Sequence, residues 1–349
     1  MSELNRVVYL LGPERVELRE VTADDPGHGE IRVRISAAAT CGTDVKVFLR
    51  GGHPRMLEVP GPFGHEMAGV IEAKGGSVAG WKEGDEVVIA NSASCGECAA
   101  CGSHRENLCS DLHYLNGAYG ERIIVPERFV RRSLYRKPKD LAPRIAALAE
   151  PLACVMHGVE LMGLSDSTEV IVFGGGPIGL LFVNALSHRG HHVVLADPNR
   201  ARLDAGERMG ATATIEVDRD VESTDAIREL ASRGGFDVAI EATGSPIAWS
   251  DAVRSVRPGG TVLLFGGCAP GTTVSLDTHR VHYSELRLLG GYHHRPKTFA
   301  MAIELLADHR IAASVLLSDE RPLEGVEGAL RLMIARKALK VSIDPLLTA

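Results

Sequence analysis

The chain changes its hydrophobic rhythm about 40% of the way along. In the first part, apolar and charged residues alternate over short runs. Ile31-Arg32-Val33-Arg34-Ile35 is the clearest, and period-two alternation predicts a half-buried strand. Arg6–Leu10 and Arg15–Val21 predict a hairpin turning at Gly12-Pro13. Further strands are expected at Met67–Ala73, Asp85–Ala90 and Arg122–Val125, with a short helix starting near Thr43. From about residue 143 the pattern is different. Pro143 to Met162 reads as helical, apart from a break near Pro151. Wholly apolar runs then alternate with helical ones. Strands are predicted at Val170–Phe173, Val193–Ala196, Ala213–Val217, Asp237–Glu241, Thr261–Phe265 and Leu286–Leu289. Helices are predicted at Pro177–Ser187, Arg200–Met209, Thr224–Ser232 and Ile247–Val256. Strands apolar on both faces, alternating with helices, imply a parallel sheet covered on both sides, that is, a doubly wound α/β domain over 151–292. A helix near Lys297–Ala307 and a strand at Lys340–Ile343 are expected to return to the first domain.

Composition narrows the class. At 349 residues and 45% hydrophobic content, two domains with sizeable cores are affordable. The net charge is −7, from 38 basic and 45 acidic residues, and no basic stripe appears, which argues against a nucleic-acid partner. No apolar run reaches membrane-spanning length and no apolar leader opens the chain, so the expectation is a cytoplasmic protein without membrane contact.

Three groups of residues carry chemistry. Gly174-Gly175-Gly176-Pro177-Ile178-Gly179 fits the G-x-G-x-x-G dinucleotide pattern, with Gly174, Gly176 and Gly179 at the glycine positions. It follows a buried strand and opens a helix, whose free N–H groups and dipole favour a pyrophosphate. Asp197 ends the next strand, where a carboxylate can bond the adenosine ribose and repel a 2′-phosphate, favouring NAD over NADP. Its other reading is a helix N-cap before Pro198. Arg200 and Arg202 could soften the preference or simply be solvated.

Cys95, Cys98, Cys101 and Cys109 give C-x2-C-x2-C-x7-C. Four thiolates at this spacing can close a tetrahedral zinc site with no position left for water, so the site is expected to be structural. An iron–sulfur cluster is the rival assignment. Finally, His65 and Glu66 offer an imidazole and a carboxylate side by side. Adjacent strand residues point to opposite faces, so both reach one metal only where the backbone bends, which Gly61, Pro62 and Gly64 permit.

Together with Cys41-Gly42-Thr43-Asp44, 24 residues before His65, and Glu150-Pro151-Leu152-Ala153, these motifs resemble, in order, the zinc-dependent medium-chain dehydrogenase/reductase (alcohol dehydrogenase) family. The nearest likeness is to its sorbitol/polyol and threonine dehydrogenase branch, over essentially the whole chain. The resemblance implies a GroES-like, β-rich catalytic domain (1–150 and 293–349, zinc lobe about 92–112) and a Rossmann NAD domain (151–292). It implies a catalytic zinc held by Cys41, His65 and Glu66, with Glu150 as fourth ligand or holding the metal's water. Asp44 would orient His65, and Thr43 would relay protons. Much of the family carries a histidine five residues after the cysteine; here that position is Lys46, expected either to replace it as terminal relay or to be solvated. Pro177, Ile178, Arg202, Thr243, Gly266 and Gly291 are expected to join the glycines in holding NAD. The substrate pocket is expected to involve Thr43, Phe48, Asn91, Leu115, Tyr119 and Gly291-Tyr292, and a polar residue at 91 suggests a polyhydroxylated substrate.

The expected activity is zinc-dependent, NAD-linked oxidation of a secondary alcohol on a polyol, sugar or cyclitol to the ketone, in a homotetramer or homodimer. The alternatives are a threonine-type amino-alcohol dehydrogenase, a zinc-free quinone or enoyl reductase, and a non-catalytic NAD-binding member of the family.

Overall fold

A strand alternating from Ile31 to Ile35 and then small on both faces organises the first half of the molecule. A computed structural model describes residues 3–218 and 227–348. In it Ile31, Val33 and Ile35 are fully buried while Arg32 and Arg34 reach the surface. The strand runs on to Ala39, with Ala37, Ala38 and Ala39 also buried.

The chain divides into two compact units. The first takes the chain up to Ala153, Arg295–His309 and everything from Leu316 on. Its main sheet has seven strands, six of them in the order Leu134–Arg136, Glu86–Ile89, Glu66–Lys74, Ile31–Ala39, Lys340–Ile343, Leu317–Arg321. Arg122–Val125 pairs beside the start of Ile31–Ala39. Leu4–Gly12 and Arg15–Thr22 form the expected hairpin. Val33, Ile35, Phe63, Met67, Val87, Ile89, Val341 and Ile343 share one apolar core, each buried side chain contributing roughly 1.5–3 kcal/mol. The register matters for function. Ala39 pairs with Glu66 on one side and with Ser342 on the other. The end of this strand therefore lies between the start of Glu66–Lys74 and the start of Lys340–Ile343.

The second unit is Cys154–His294 with Arg310–Val315. Among the described residues its six strands are all parallel, in the order Ala213–Glu216, His192–Asp197, Glu169–Phe173, Phe236–Glu241, Val256–Leu264, Arg287–Gly290. Val170, Ile171, Val172, Val193, Leu195, Ala239 and Ile240 are fully buried, as expected of strands covered on both faces. The order reverses direction at Glu169–Phe173. That is the switch point outside whose strand ends such sheets bind ligands.

Several details differ from the sequence reading. Residues 310–315 join the second unit rather than the first, and the seams fall at 153/154 and 294/295. The helical stretch from Pro143 breaks at Ala147-Leu148, not at Pro151. Pro151 sits in the first turn of Ala149–Met162, where its missing N–H has no intrahelical partner to lose. Pro143–Met162 also does reach membrane-spanning length and apolarity, but 83% of its 18-residue apolar window is buried, as in a core helix. The helix expected over Thr224–Ser232 begins outside the described residues. The strand Leu317–Arg321 carries the exposed run Ser318-Asp319-Glu320 at the sheet edge, so no alternation announces it.

Candidate metal and cofactor sites

The end of the strand Ile31–Ala39 runs directly into a helix, and Cys41 is the joint. It is the N-cap of Gly42–Arg50: its Sγ accepts from the Thr43 N–H at 3.4 Å, and its own N–H donates to Asp44 Oδ2 at 3.0 Å. Thr43 is the second residue of this helix, inside its first turn. Lys46 stands on the exposed side of this helix, while Asp44, Val47 and Phe48 face inward.

Gly64 brings His65 and Glu66 into place. Its φ is +87°, a left-handed conformation that glycine adopts without strain. A Cβ there would also fall 2.8 Å from the Tyr119 ring. Gly64→Ala is therefore expected to cost roughly 2–4 kcal/mol of stability, combining left-handed strain with overpacking. Urea denaturation reads this directly, and an unchanged midpoint would mean that the ring gives way freely.

The bend draws Cys41, His65 and Glu66 together, with one donor atom of each within 4.8 Å of the others. Glu150, expected as a fourth ligand, is not in that group, although its charge acts on Glu66. Behind His65 the Asp44 carboxylate accepts from Nδ1 at 3.0 Å, leaving Nε2 for a metal. Burial disfavours charge on the ring, yet Asp44 outweighs it and raises the basicity of His65 well above that of ordinary histidine. The Tyr119 hydroxyl donates to Asp44 at 2.6 Å and completes the chain.

Two residues expected at the pocket also serve the core. Tyr119 and Phe48 are fully buried core side chains, the first tied to Asp44 and the second on the inner face of its helix. Asn91 is likewise buried, and its backbone carbonyl accepts from the Leu115 N–H at 2.9 Å.

One residue was missed altogether. Lys340, at 1% exposure, donates to Glu66 Oε1 at 2.7 Å, Glu66 Oε2 at 2.6 Å and the Thr40 carbonyl at 2.6 Å. Burial works against its charge, but Glu66, Cys41 and Glu150 outweigh that and hold the ammonium above its usual range. Glu66 therefore lies between the Lys340 ammonium and the donor atoms of Cys41 and His65. A lysine opening the short closing strand Lys340-Val341-Ser342-Ile343 was the available sequence signal.

The cysteine lobe passes a metric test. Zinc–sulfur bonds of about 2.3 Å in a tetrahedron place sulfurs roughly 3.8 Å apart. Four of the six Sγ separations are 3.9 Å (Cys95–Cys101), 3.6 Å (Cys98–Cys101), 3.8 Å (Cys98–Cys109) and 3.4 Å (Cys95–Cys109). Disulfides need about 2.05 Å. The N–H groups of Cys101 and Ser110 hold the Cys98 thiol down to about 5, the thiolate form zinc takes, while burial pushes Cys109 up to about 12. A divalent cation is what brings the buried thiol into the same form.

In the second unit, Gly174 has φ +105°, and Gly176 caps the helix Pro177–Ser187 with Pro177 at its first position and Ile178 next. A Cβ at Gly179 would lie 1.8 Å from the Gly174 carbonyl oxygen, so the loop folds this tightly only with glycine. Asp197 is buried. Its Oδ2 accepts from the Gly175 N–H at 2.7 Å and its Oδ1 from the Asn199 N–H at 2.8 Å. The helix cap is Asn199, not Asp197. Arg202 approaches Asp197 at 3.8 Å, so it is not merely solvated. Gly291 continues the ladder to the Leu264 carbonyl, and a Cβ there would meet the Phe265 ring at 2.8 Å.

Comparison with known proteins agrees with both halves. Residues 27–135 match the alcohol dehydrogenase GroES-like domain and residues 177–308 the zinc-binding dehydrogenase domain. Sorbitol dehydrogenase of Bacillus subtilis (strain 168) is 30% identical over 339 residues, covering 95% of this chain and 94% of its own. The chain belongs to the zinc-dependent alcohol dehydrogenase family. The L-threonine 3-dehydrogenase of Idiomarina loihiensis is 27% identical to this dehydrogenase, over 94% of it and 95% of the relative. A zinc-binding dehydrogenase fold from Sinorhizobium meliloti 1021, solved bound to NADP, superposes with TM-score 0.89 at 29% identity, covering 98% of this chain and all of its own. The protein is thus an oxidoreductase of the zinc-type polyol and alcohol dehydrogenase group.

Proposed function

We propose that this dehydrogenase oxidises a secondary alcohol on a polyol, sugar or cyclitol to the ketone, reversibly, with zinc and NAD. The observation that carries the reading is the donor set of Cys41, His65 and Glu66 at the end of the strand Ile31–Ala39, with Asp44 bonded behind His65. One thiolate, one imidazole and one carboxylate suit a catalytic rather than a closed structural zinc. Bound there, zinc supplies Lewis-acid polarisation of the substrate hydroxyl, and NAD supplies the hydride acceptor.

The residues of the chain do the rest. Asp44 fixes the tautomer of His65 so that Nε2 faces the metal. Glu66, already balanced by Lys340, can lend an oxygen without leaving an unpaired carboxylate. Glu150 stands by as water holder, and Thr43 and Lys46, within one turn of the helix, pass the substrate proton outward. The four cysteines hold a second, structural zinc. In the nucleotide unit, Gly174, Gly176 and Gly179 admit the pyrophosphate to the helix N-terminus. Asp197, bonded to the Gly175 N–H of the loop, supports NAD over NADP, although a relative has been solved with NADP. The Arg287–Gly290 edge strand ends the sheet among the described residues, which fits a homotetramer or homodimer.

The test is a substrate screen following NADH and NADPH absorbance with polyols, aminocyclitols, sugar acids and threonine. Turnover of polyols or cyclitols with NAD is expected. Preference for threonine, or for NADP, would overturn the respective part of the reading.

A further inference from the structure

Glu241 belongs to no group assigned above, yet it sits at the switch point. It ends the strand Phe236–Glu241 and is fully buried. All of its described side-chain hydrogen bonds fall on one oxygen. Oε1 accepts from the Thr243 N–H at 2.6 Å, the Thr243 hydroxyl, and the Gly244 N–H at 2.8 Å. Oε2 has no hydrogen-bond partner among the described residues. It packs instead against the next strand end, where a Cβ on Gly266 would lie 2.5 Å from it and 2.3 Å from the Gly244 nitrogen.

The backbone repeats the tie. The Glu241 carbonyl accepts from the Phe265 and Gly266 N–H groups at 3.0 and 2.9 Å. Trp249 holds Gly266 from the other side, its indole N–H donating to the Gly266 carbonyl at 3.1 Å. Thr243 in turn presses on the dinucleotide loop, since a Cβ at Gly174 would meet its methyl at 2.6 Å. One carboxylate thus sets three strand-end loops against each other.

A doubly wound sheet binds its dinucleotide across two mononucleotide halves. Asp197 lies in the half made by Glu169–Phe173, His192–Asp197 and Ala213–Glu216. Glu241 ends the first strand of the other half. We propose that Glu241 is a positioning residue for the nicotinamide half of the cofactor, locking the Thr243-Gly244 turn and Gly266 into one shelf beside Gly174. This rests on the dinucleotide reading of the Gly174–Gly179 loop.

A carboxylate that served only to hold the fold would, when removed, weaken every nucleotide alike. Binding of NADH and of ADP, measured by titration calorimetry on the full chain, separates the two roles. Glu241→Ala is expected to weaken NADH by about tenfold or more, the equivalent of one charge-assisted hydrogen bond or more, and to leave ADP unchanged. Glu241→Gln keeps the Oε1 acceptor and places its amide where no partner is lost, so it is expected to restore NADH binding. Should Glu241→Ala not fold, Glu241→Asp, whose shorter side chain draws Oε1 away from the turn, is expected to show the same split. NADH and ADP weakening together, unchanged NADH binding in Glu241→Ala, or a Gln variant as weak as Ala would each overturn the proposal. A wild-type chain that binds neither nucleotide would overturn the dinucleotide reading, and this one with it.

Discussion

Lys340→Met is expected to destabilise the protein by about 3–5 kcal/mol, the cost of leaving one member of a buried ion pair alone. The side chain of Glu66 is 0% exposed and that of Lys340 1%, so neither can turn to water. All three described hydrogen bonds of the ammonium, two to Glu66 and one to the Thr40 carbonyl, would vanish at once. Methionine fills nearly the same space, so a cavity is not the cause. The double variant Lys340→Met/Glu66→Gln removes the stranded charge and is expected to recover most of the loss. Urea denaturation of the four proteins of this cycle, at one fixed zinc concentration, yields the coupling energy. A loss below about 1 kcal/mol in the single variant, within the range of exposed pairs, would show that Lys340 does not hold Glu66 as an ion. The effect should also reach the metal site, since Glu66 is both the carboxylate Lys340 balances and a member of the donor cluster.

Cys41→Ser and His65→Ala are each expected to lower kcat by about a thousandfold or more, because polarisation of the substrate oxygen is worth several kcal/mol. Metal analysis should fall from about two zinc ions per chain to about one, the closed four-cysteine site remaining filled. The complementary variant, Cys98→Ser, should lose the other ion. It opens a tetrahedron whose sulfurs stand 3.6 and 3.8 Å from the Cys98 sulfur, in a lobe with only short elements of its own. Stability should therefore fall in Cys98→Ser with activity following it, while Cys41→Ser and His65→Ala lose activity with the fold intact. Two ions retained in Cys41→Ser, or full activity without one, would sink the assignment of the catalytic ligands.

The two metal sites were legible to different degrees. The four cysteines lie within fifteen residues, so their meeting is a matter of local chain geometry. Cys41 and His65 are linked by one sheet pairing, in which Ala39 opposes Glu66 across neighbouring strands. Lys340 stands 274 residues from Glu66, and only the insertion of Lys340–Ile343 beside Ile31–Ala39 makes them neighbours. Tyr119 shows the same effect in reverse. Its sequence context resembles a pocket residue, but its hydroxyl is spent on Asp44 and its ring on closing over Gly64. Side-chain type suggests what a residue can do, and burial decides which of those things it does.

By itself the sequence determined the doubly wound unit, because apolar strands and glycine punctuation follow from local periodicity and steric freedom. It also determined the donor chemistry, because thiolates, imidazoles and carboxylates keep their character wherever the chain carries them. Tertiary structure alone decided which charge faces Glu66, which hydroxyl steadies Asp44 and which loops Glu241 ties together. The first two are contacts between segments far apart in the chain, and all three depend on how neighbouring strand ends are set in register, where a shift of one residue turns every side chain to the other face.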